Sequence, residues 1–393
     1  MSRPLYRDAV DARKPTAEFH RGLWFERFVD FYEEKDGAWQ IPKPKDKANP
    51  KSDWIKQVAD PCGNADELKR HALGLAQRLA FLGGEYRGFA TDWHFATGLG
   101  NPHPVENGFL WHPTLGVPYL PGAAVKGLVR AYVEQWDDSL DGEARKQRLR
   151  TWFGTEAKGE VPEQAGELIF FDALPVAPVT LAQDVMTPHY GKWYEQGGEI
   201  ENPDQEPEKM PADWHDPVPV PFLVVKSARF LFAVAPRRKK FQGEVKLALN
   251  ALENALDWLG AGAKTAVGYG RMARKEEIEA TVEGWADEDR QRRETEQREA
   301  ENQRRRAALS PLEQAIEEVI EQRQDKNLVP YLALIQAVEQ NRWQGEEKRQ
   351  AAAKIRDLMK ETRGQWKEQC TKGKPEKDKE YQRTLKVKRW LEE

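Results

Sequence analysis

The stretch "GAGAKTAVGYG", residues 260–270, places four glycines, a lysine and a threonine within eleven residues. Its composition suits a phosphate-binding loop, and the kind of loop decides the fold. A Walker A loop has Gly directly before Lys-Ser/Thr, follows a strand and opens a helix. Here Ala263 precedes Lys264 and Thr265, and the stretch follows a helical pattern and leads into a strand pattern, which excludes a P-loop. A G-x-G-x-x-G fingerprint starting at Gly260 fails at its third glycine, where Thr265 stands. What remains is a turn in which Gly260 and Gly262 relieve the steric cost of leaving a helix and let the backbone approach a ligand closely. Lys264 then offers a charge beside exposed N–H groups; the plain alternative is a helix C-cap with a solvated lysine. Gly268 and Gly270 fall inside the strand pattern, a sign of close backbone approach or a bulge.

The flanking segments set the architecture. "GEVKLALNALENALDWLG" (243–260) is helical, with Val245, Ala248, Leu249, Leu252, Leu256 and Leu259 on one face. "YRGFATDWHFATGLG" (86–100), "GELIFFDALPV" (166–176), "FLVVKSARFLFAVAP" (222–236) and "TAVGYGRMA" (265–273) read as strands. "PYLPGAAVKGLVRAYVEQW" (118–136) opens with Pro and Gly and turns helical, its apolar stripe being Val125, Leu128, Val129, Tyr132, Val133 and Trp136. Residues 177–221, rich in Pro, Trp, His and Asp, read as an irregular insertion. The order strand, helix, strand, insertion, strand, helix, strand is the split βαβ arrangement of an α+β, ferredoxin-like (RRM-like) domain. That fold hosts many functions and names none.

Residues 284–309 carry seven acidic and seven basic side chains and few apolar ones, as a solvated helix or flexible connector would. "SPLE" (310–313) follows, with Ser310 as cap, Pro311 at the first helical position and Glu313 completing a capping box. Leu312, Ile316, Val319 and Ile320, then Leu328, Tyr331, Leu332, Ile335 and Val338, then Ile355, Leu358 and Met359, then Tyr381, Leu385 and Trp390 repeat at helical spacing. The expected organisation is a partly helical flank (1–74), a ferredoxin-like domain (75–276), a charged connector (277–309) and an all-helical extension (310–393).

Bulk properties narrow the function classes. A 393-residue chain with 39% hydrophobic residues supports two or three domains. A net charge of −4 gives no global attraction to nucleic acid, yet 32% charged residues leave room for local basic surfaces. Cys62 and Cys370 form neither a disulfide framework nor a zinc motif. "MSRPLYRDAV" lacks the apolar run of a signal peptide, and no apolar segment approaches the ~18 residues of a membrane span. The expectation is a cytoplasmic protein with no membrane partner, no cofactor and no metal. Lys126 and Arg130, four apart, share a helix face beside the apolar stripe. They can follow a phosphate backbone or simply be solvated.

Together, "GVPYLPGAAVKGLVRAY" and the distal "GAGAKTAVGYGRM" resemble the RAMP superfamily of CRISPR-associated RNA-binding proteins. Those families carry a P-G-[SA]-[SA]-x-K-G-x-x-R helix start and a closing G-x-G-x-K-[ST]-x-x-G-[YFW]-G loop. "TGLGNPHPVENGFLWHPTLGVPYLPG" (97–122) and "DVMTPHYGKWY" (184–194) look like the sixth-subunit family of type III-B (Cmr) effector complexes. The resemblance covers roughly residues 75–275; the helical region after 284 departs from it. It implies a non-catalytic structural subunit at the head of the assembly, near the 3′ end of the CRISPR RNA. Its partners would be CRISPR RNA, target RNA and the first, fourth and fifth subunits. It also implies that 177–221 is a thumb entering the guide–target duplex, with Met186, His189, Tyr190 and Trp193 as apolar or stacking contacts. Lys126 and Arg130 match basic positions of the first helix. Gly260, Gly262, Lys264, Thr265, Gly268, Tyr269, Gly270 and Arg271 belong to the loop expected along RNA phosphates, contacts that position RNA without reading it.

Some relatives of this kind cleave RNA precursors with a histidine, so a RAMP endoribonuclease is the alternative. His94, His103 and His112 lie on or just after the first strand and are its candidates, each equally suited to packing. Asp184, Asp213, His215 and Asp216 in the insertion can bind a divalent ion only if they converge. A generic RNA-recognition module is a third idea, resting on Phe230 and Phe232 in "RFLFAVA". Burial of both rings would remove it.

Overall fold

A computed structural model describes residues 19–42, 49–157, 163–188, 190–196, 200, 202–211, 215, 217–323, 328–370 and 375–393. The chain divides into two compact units, residues 1–289 and 290–393.

The first unit is built on an antiparallel sheet of β1 (Glu85–Thr91), β2 (Leu168–Phe170), β3 (Leu174–Pro175), β6 (Arg229–Pro236) and β7 (Met272–Arg274). A separate ribbon pairs β4 (Thr180–Met186) with β5 (Val220–Ser227). The sheet order is β7-β1-β6-β2, with β3 also paired to β6. Phe230 stands opposite Phe89, and Ala273 opposite Ala90.

The central strand explains its own composition. Alternate side chains of β6 enter two different cores, as the period of two requires. Phe230, Phe232 and Val234 join one cluster with Val125, Val129 and Val133 of α2 (Gly122–Gln135) and Val245, Leu249, Leu252 and Leu256 of α3 (Gln242–Trp258). Leu231, Ala233 and Ala235 join another with Leu75 and Leu79 of α1 (Ala65–Leu82) and Ile278 and Val282 of α4 (Glu276–Ala307). Each large apolar side chain so buried contributes about 1.5–3 kcal/mol. The N-terminal flank shares the first core through Trp24, Phe25, Trp54, Ile55 and Val58.

Several expected elements differ in form. The apolar run 222–236 is two strands, because the polar residues Lys226, Ser227 and Arg229 are exposed and bend the chain at Ala228. Thr91 fastens the bend: its N–H donates to the Ala228 carbonyl, and its Oγ1 accepts from the Ala228 N–H, both at 3.1 Å. The insertion 177–221 is not wholly irregular, since β4 pairs along its length with β5, Met186 facing Val220. The strand expected over 166–176 is interrupted between β2 and β3, and that over 86–100 ends at Thr91. The final strand starts only at Met272, because residues 265–267 form a 3-10 turn and Gly268 and Gly270 take positive φ. Trp136, assigned to the apolar stripe, lies at the end of α2 and is 46% exposed.

In the second unit, α5 (Pro311–Glu321), α6 (Pro330–Glu339), α7 (Gly345–Glu361) and α8 (Lys379–Glu392) enclose one core. Ile316, Tyr331, Ile335, Val338, Ile355 and Met359 are buried in it, whereas Leu385 is 41% exposed. The capping box is present, Ser310 accepting from the Glu313 N–H and Glu313 accepting from the Ser310 N–H. The charged stretch 284–309 is mostly continuous helix, the C-terminal part of α4.

Candidate nucleic-acid interface

After α3 the glycine-rich loop folds back on the segment that follows β1. One backbone hydrogen bond closes the loop on itself and three stitch it to that segment. Ala261 N–H donates to Gly270 O (2.9 Å), Gly270 N–H to His94 O (2.8 Å), Ala263 N–H to Ala96 O (2.7 Å) and Asp92 N–H to Arg271 O (3.0 Å). Close approach, as well as turning, accounts for the glycines. Gly262 and Gly270 have φ of +84° and +75°, and a Cβ on either would collide with a carbonyl oxygen, of Ala96 and Ala261 respectively. Gly260 and Gly268 also take positive φ.

Lys264 itself is left-handed, with φ of 59°, a conformation that costs a non-glycine residue about 1–2 kcal/mol. Strain of this kind concentrates at functional sites. Its Nζ lies 5.6 Å from the centre of the Phe222 ring, and among the described residues it makes no ion pair. Thr265 opens the short turn after it and is half-buried.

Tyr269 is 5% exposed and its hydroxyl donates to Asp184 Oδ2 at 2.5 Å. His94 Nδ1 reaches the same oxygen at 2.9 Å. Burial tends to raise the Asp184 pKa, but hydrogen bonds from Tyr269, the Val185 N–H and His94 outweigh it and hold the carboxyl below its ordinary 3.8. Burial, then the Asp184 charge, pushes the Tyr269 phenol up. Asp184 comes from β4, so this triad ties the ribbon to the loop. The divalent-ion idea for Asp184 gives way to these bonds: among the described residues no group of three or more metal-ligating side chains converges. His215 Nε2 bonds the Met210 carbonyl at 2.9 Å, and Asp213 and Asp216 lie outside the described residues.

The other expected contacts are dispersed. Arg271 is paired with Asp257 at 2.6 Å and Arg130 with Glu134 at 3.7 Å, both on the surface. Lys126 is half-buried on α2 and makes no ion pair among the described residues. α2 meets α3 through Asn254 Nδ2, which donates to the Tyr132 hydroxyl at 3.0 Å. Met186 packs against the small core of Ala96, Phe222, Val224 and Tyr269. Tyr190 is half-buried with its ring 6.4 Å from that of Tyr194, and Trp193 is 38% exposed. His189 lies outside the described residues.

Two of the candidate histidines serve the backbone. His103 donates from Nε2 to the Phe25 carbonyl (2.9 Å) and accepts at Nδ1 from the Val105 N–H (3.2 Å). His112 Nδ1 accepts from the Thr114 and Leu115 N–H groups at 3.4 and 3.2 Å. Burial lowers both pKa values from the ordinary 6.5. Phe230 and Phe232 are 1% and 0% exposed, which removes the aromatic stacking platform on β6. Motif reading passed over Trp93, which is 50% exposed and stacked on His94 beside the loop. Its signal was the aromatic pair "WH" just past the end of β1.

A family model described as "RAMP superfamily" matches residues 89–273. The chain is similar to a CRISPR system Cmr subunit Cmr6 of Pyrococcus furiosus, 31% identical over 235 residues, 47% of this chain and 66% of that protein. Residues 89–273 are a RAMP-superfamily region. A second relative, Cmr6 of Saccharolobus solfataricus, is 36% identical over 89 residues, 22% of this chain and 27% of that one. The chain thus spans just under two thirds of the first relative and about a quarter of the second. Among solved structures, a type III-B Cmr-beta complex bound to cognate target RNA has a chain at 20% identity and TM-score 0.43, covering 57% of this chain and 71% of that one. The crystal structure of Cmr6 from Pyrococcus furiosus matches at 27% identity and TM-score 0.29, covering 49% of this chain and 98% of that one.

Proposed function

We propose that this protein is a non-catalytic, RNA-binding structural subunit of a type III-B CRISPR RNA-guided complex. In this reading it stands at the head of the complex, near the 3′ end of the CRISPR RNA, and helps hold the guide–target duplex. It contacts the first, fourth and fifth subunits. The observation that carries the reading is Lys264, a strained cation without an ion pair among the described residues, in a loop whose glycines bring backbone close to backbone. Such a site suits polymeric phosphate. The β-α-β-β-α-β order, with the fourth strand beside the first and the third beside the second, supports a ferredoxin-like domain. The β4–β5 ribbon carries the thumb that bears Met186, His189, Tyr190 and Trp193.

One observation favours the alternative, a RAMP endoribonuclease: Asp184 orients His94 as a carboxylate orients a catalytic base. The two readings separate in one set of assays. The purified chain is expected to leave a repeat-hairpin RNA intact, and Lys126→Ala with Lys264→Ala to weaken assembly on guide RNA. Because the double variant removes two cations that neutralise phosphates, the slope of log K against log salt should shrink by about 1.4 for a single strand. Metal-independent cleavage by the isolated chain, abolished by His94→Ala, would replace the structural reading with the enzymatic one.

A further inference from the structure

Trp93 sits where the loop and the end of β1 meet. Its neighbours on both sides are fastened to the loop: Asp92 N–H to the Arg271 carbonyl at 3.0 Å and the His94 carbonyl to the Gly270 N–H at 2.8 Å. One face of its ring lies on His94, centroids 5.0 Å apart and planes 12° apart. Tyr269 braces it at 5.0 Å with a 52° tilt. His94 and Tyr269 are in turn held by the same Asp184 oxygen. The indole is therefore a rigid plate on a hydrogen-bonded mount, with half its surface open to solvent.

A fixed exposed indole can be an ordinary surface residue. Its surroundings distinguish this one. Tyr269 leads to Phe222, 6.2 Å away, and Lys264 lies over Phe222 at 5.6 Å. The facing charges of opposite sign are all engaged, Asp92 and Asp257 against Arg271 and Asp184 by His94 and Tyr269, and Lys264 has no carboxylate partner among the described residues. A flat π surface joined to a cation through Tyr269 and Phe222 suits one ligand chemistry, an unpaired strand with one base on the ring and its phosphate chain running toward the charge. Because the plate is already held in place, binding forfeits little side-chain freedom.

We infer that Trp93 is a base-stacking platform that takes one unpaired nucleobase of single-stranded RNA running along the glycine-rich loop. This rests on the RNA-binding reading of that loop and adds a contact to the base where the loop contacts only phosphate.

The test uses the full chain and a single-stranded RNA carrying 2-aminopurine, with binding read by anisotropy and stacking by quenching of the 2-aminopurine. Trp93→Leu is expected to raise Kd about 5- to 150-fold, the range for one base on an aromatic ring, and to relieve the quenching. Its salt slope should stay as in the unaltered chain. Trp93→Phe should recover most of the affinity. The unaltered protein should bind an abasic strand of the same length more weakly than the intact strand by the same factor, a comparison that needs no folded variant. Trp93→Leu should not weaken abasic binding further. If Lys264→Ala weakens binding while Trp93→Leu and base removal change nothing, the platform is refuted and the loop reading stands. If neither substitution nor base removal matters, both readings fall. A Trp93→Leu defect that persists in full on the abasic strand would overturn the platform too, pointing to a protein-facing role.

Discussion

Asp184 is the residue on which the interface turns. It lies in a segment whose Asp and His content suggested an ion site, yet its carboxylate is used to hold Tyr269 and His94. The two bonds have a pH signature. The folded carboxyl titrates below its ordinary 3.8, so its contribution to stability is complete above about that value. That contribution is lost as pH falls through the lower folded pKa. Asp184→Asn should therefore lower the Tm at pH 7, and its deficit relative to the unaltered chain should shrink as the pH is taken below 3.8. A deficit that stays constant across that range would mean that the charge plays no part. Lys264 and Trp93 show what was and was not legible at this scale. The lysine was picked out by its spacing from the glycines. The tryptophan was not, because an aromatic just past a strand end has no motif, and only the packing on His94 distinguishes it.

At the scale of the element, the loop separates two roles for glycine that a sequence writes with the same letter. Gly268 has φ of +94° and no atom within 4 Å of where a Cβ would stand. Gly270 has φ of +75° and the Ala261 carbonyl in that space. Gly268→Ala should thus cost only the backbone term, about 1–2 kcal/mol. Gly270→Ala should cost about 2–4 kcal/mol, because a steric collision adds to the strain. Denaturant unfolding of the two variants checks the order, and equal losses would contradict it. The strands teach a related lesson. The run 222–236 looked like one strand because both β5 and β6 are buried apolar elements. Burial alone does not say in which sheet a strand lies. The only local sign of the break was the polar Lys226, Ser227 and Arg229, and it took the hydrogen bonds of Thr91 to make Ala228 a corner.

At the scale of the whole molecule, the division into residues 1–289 and 290–393 falls within α4 and after the side chains that anchor its first turns. Ile278 and Val282 are buried in the first unit, Trp285 packs against the same cluster, and Asp289 accepts a hydrogen bond from Gln77 at 2.9 Å. A chain ended at residue 290 should fold and bind RNA as the full chain does. One ended at residue 283 should unfold at a lower temperature, because it lacks Trp285 and Asp289. Equal Tm values for the two truncations would show that these contacts carry no stability. Composition set the charged connector at 277–309, whereas Ile278, Val282, Trp285 and Asp289 in its first turns pack on or bond to the first unit. The sequence by itself determined the periodic elements, the capping box at Ser310 and the glycine-lysine loop, since these rest on local geometry and on spacing along one chain. Tertiary structure alone decided that Phe230 and Phe232 face a core, that His103 and His112 serve the backbone, and that Asp184, His94, Tyr269 and Trp93 form one assembly. Those outcomes depend on which residues distant along the chain share a few ångströms of space, and side-chain periodicity holds no record of that.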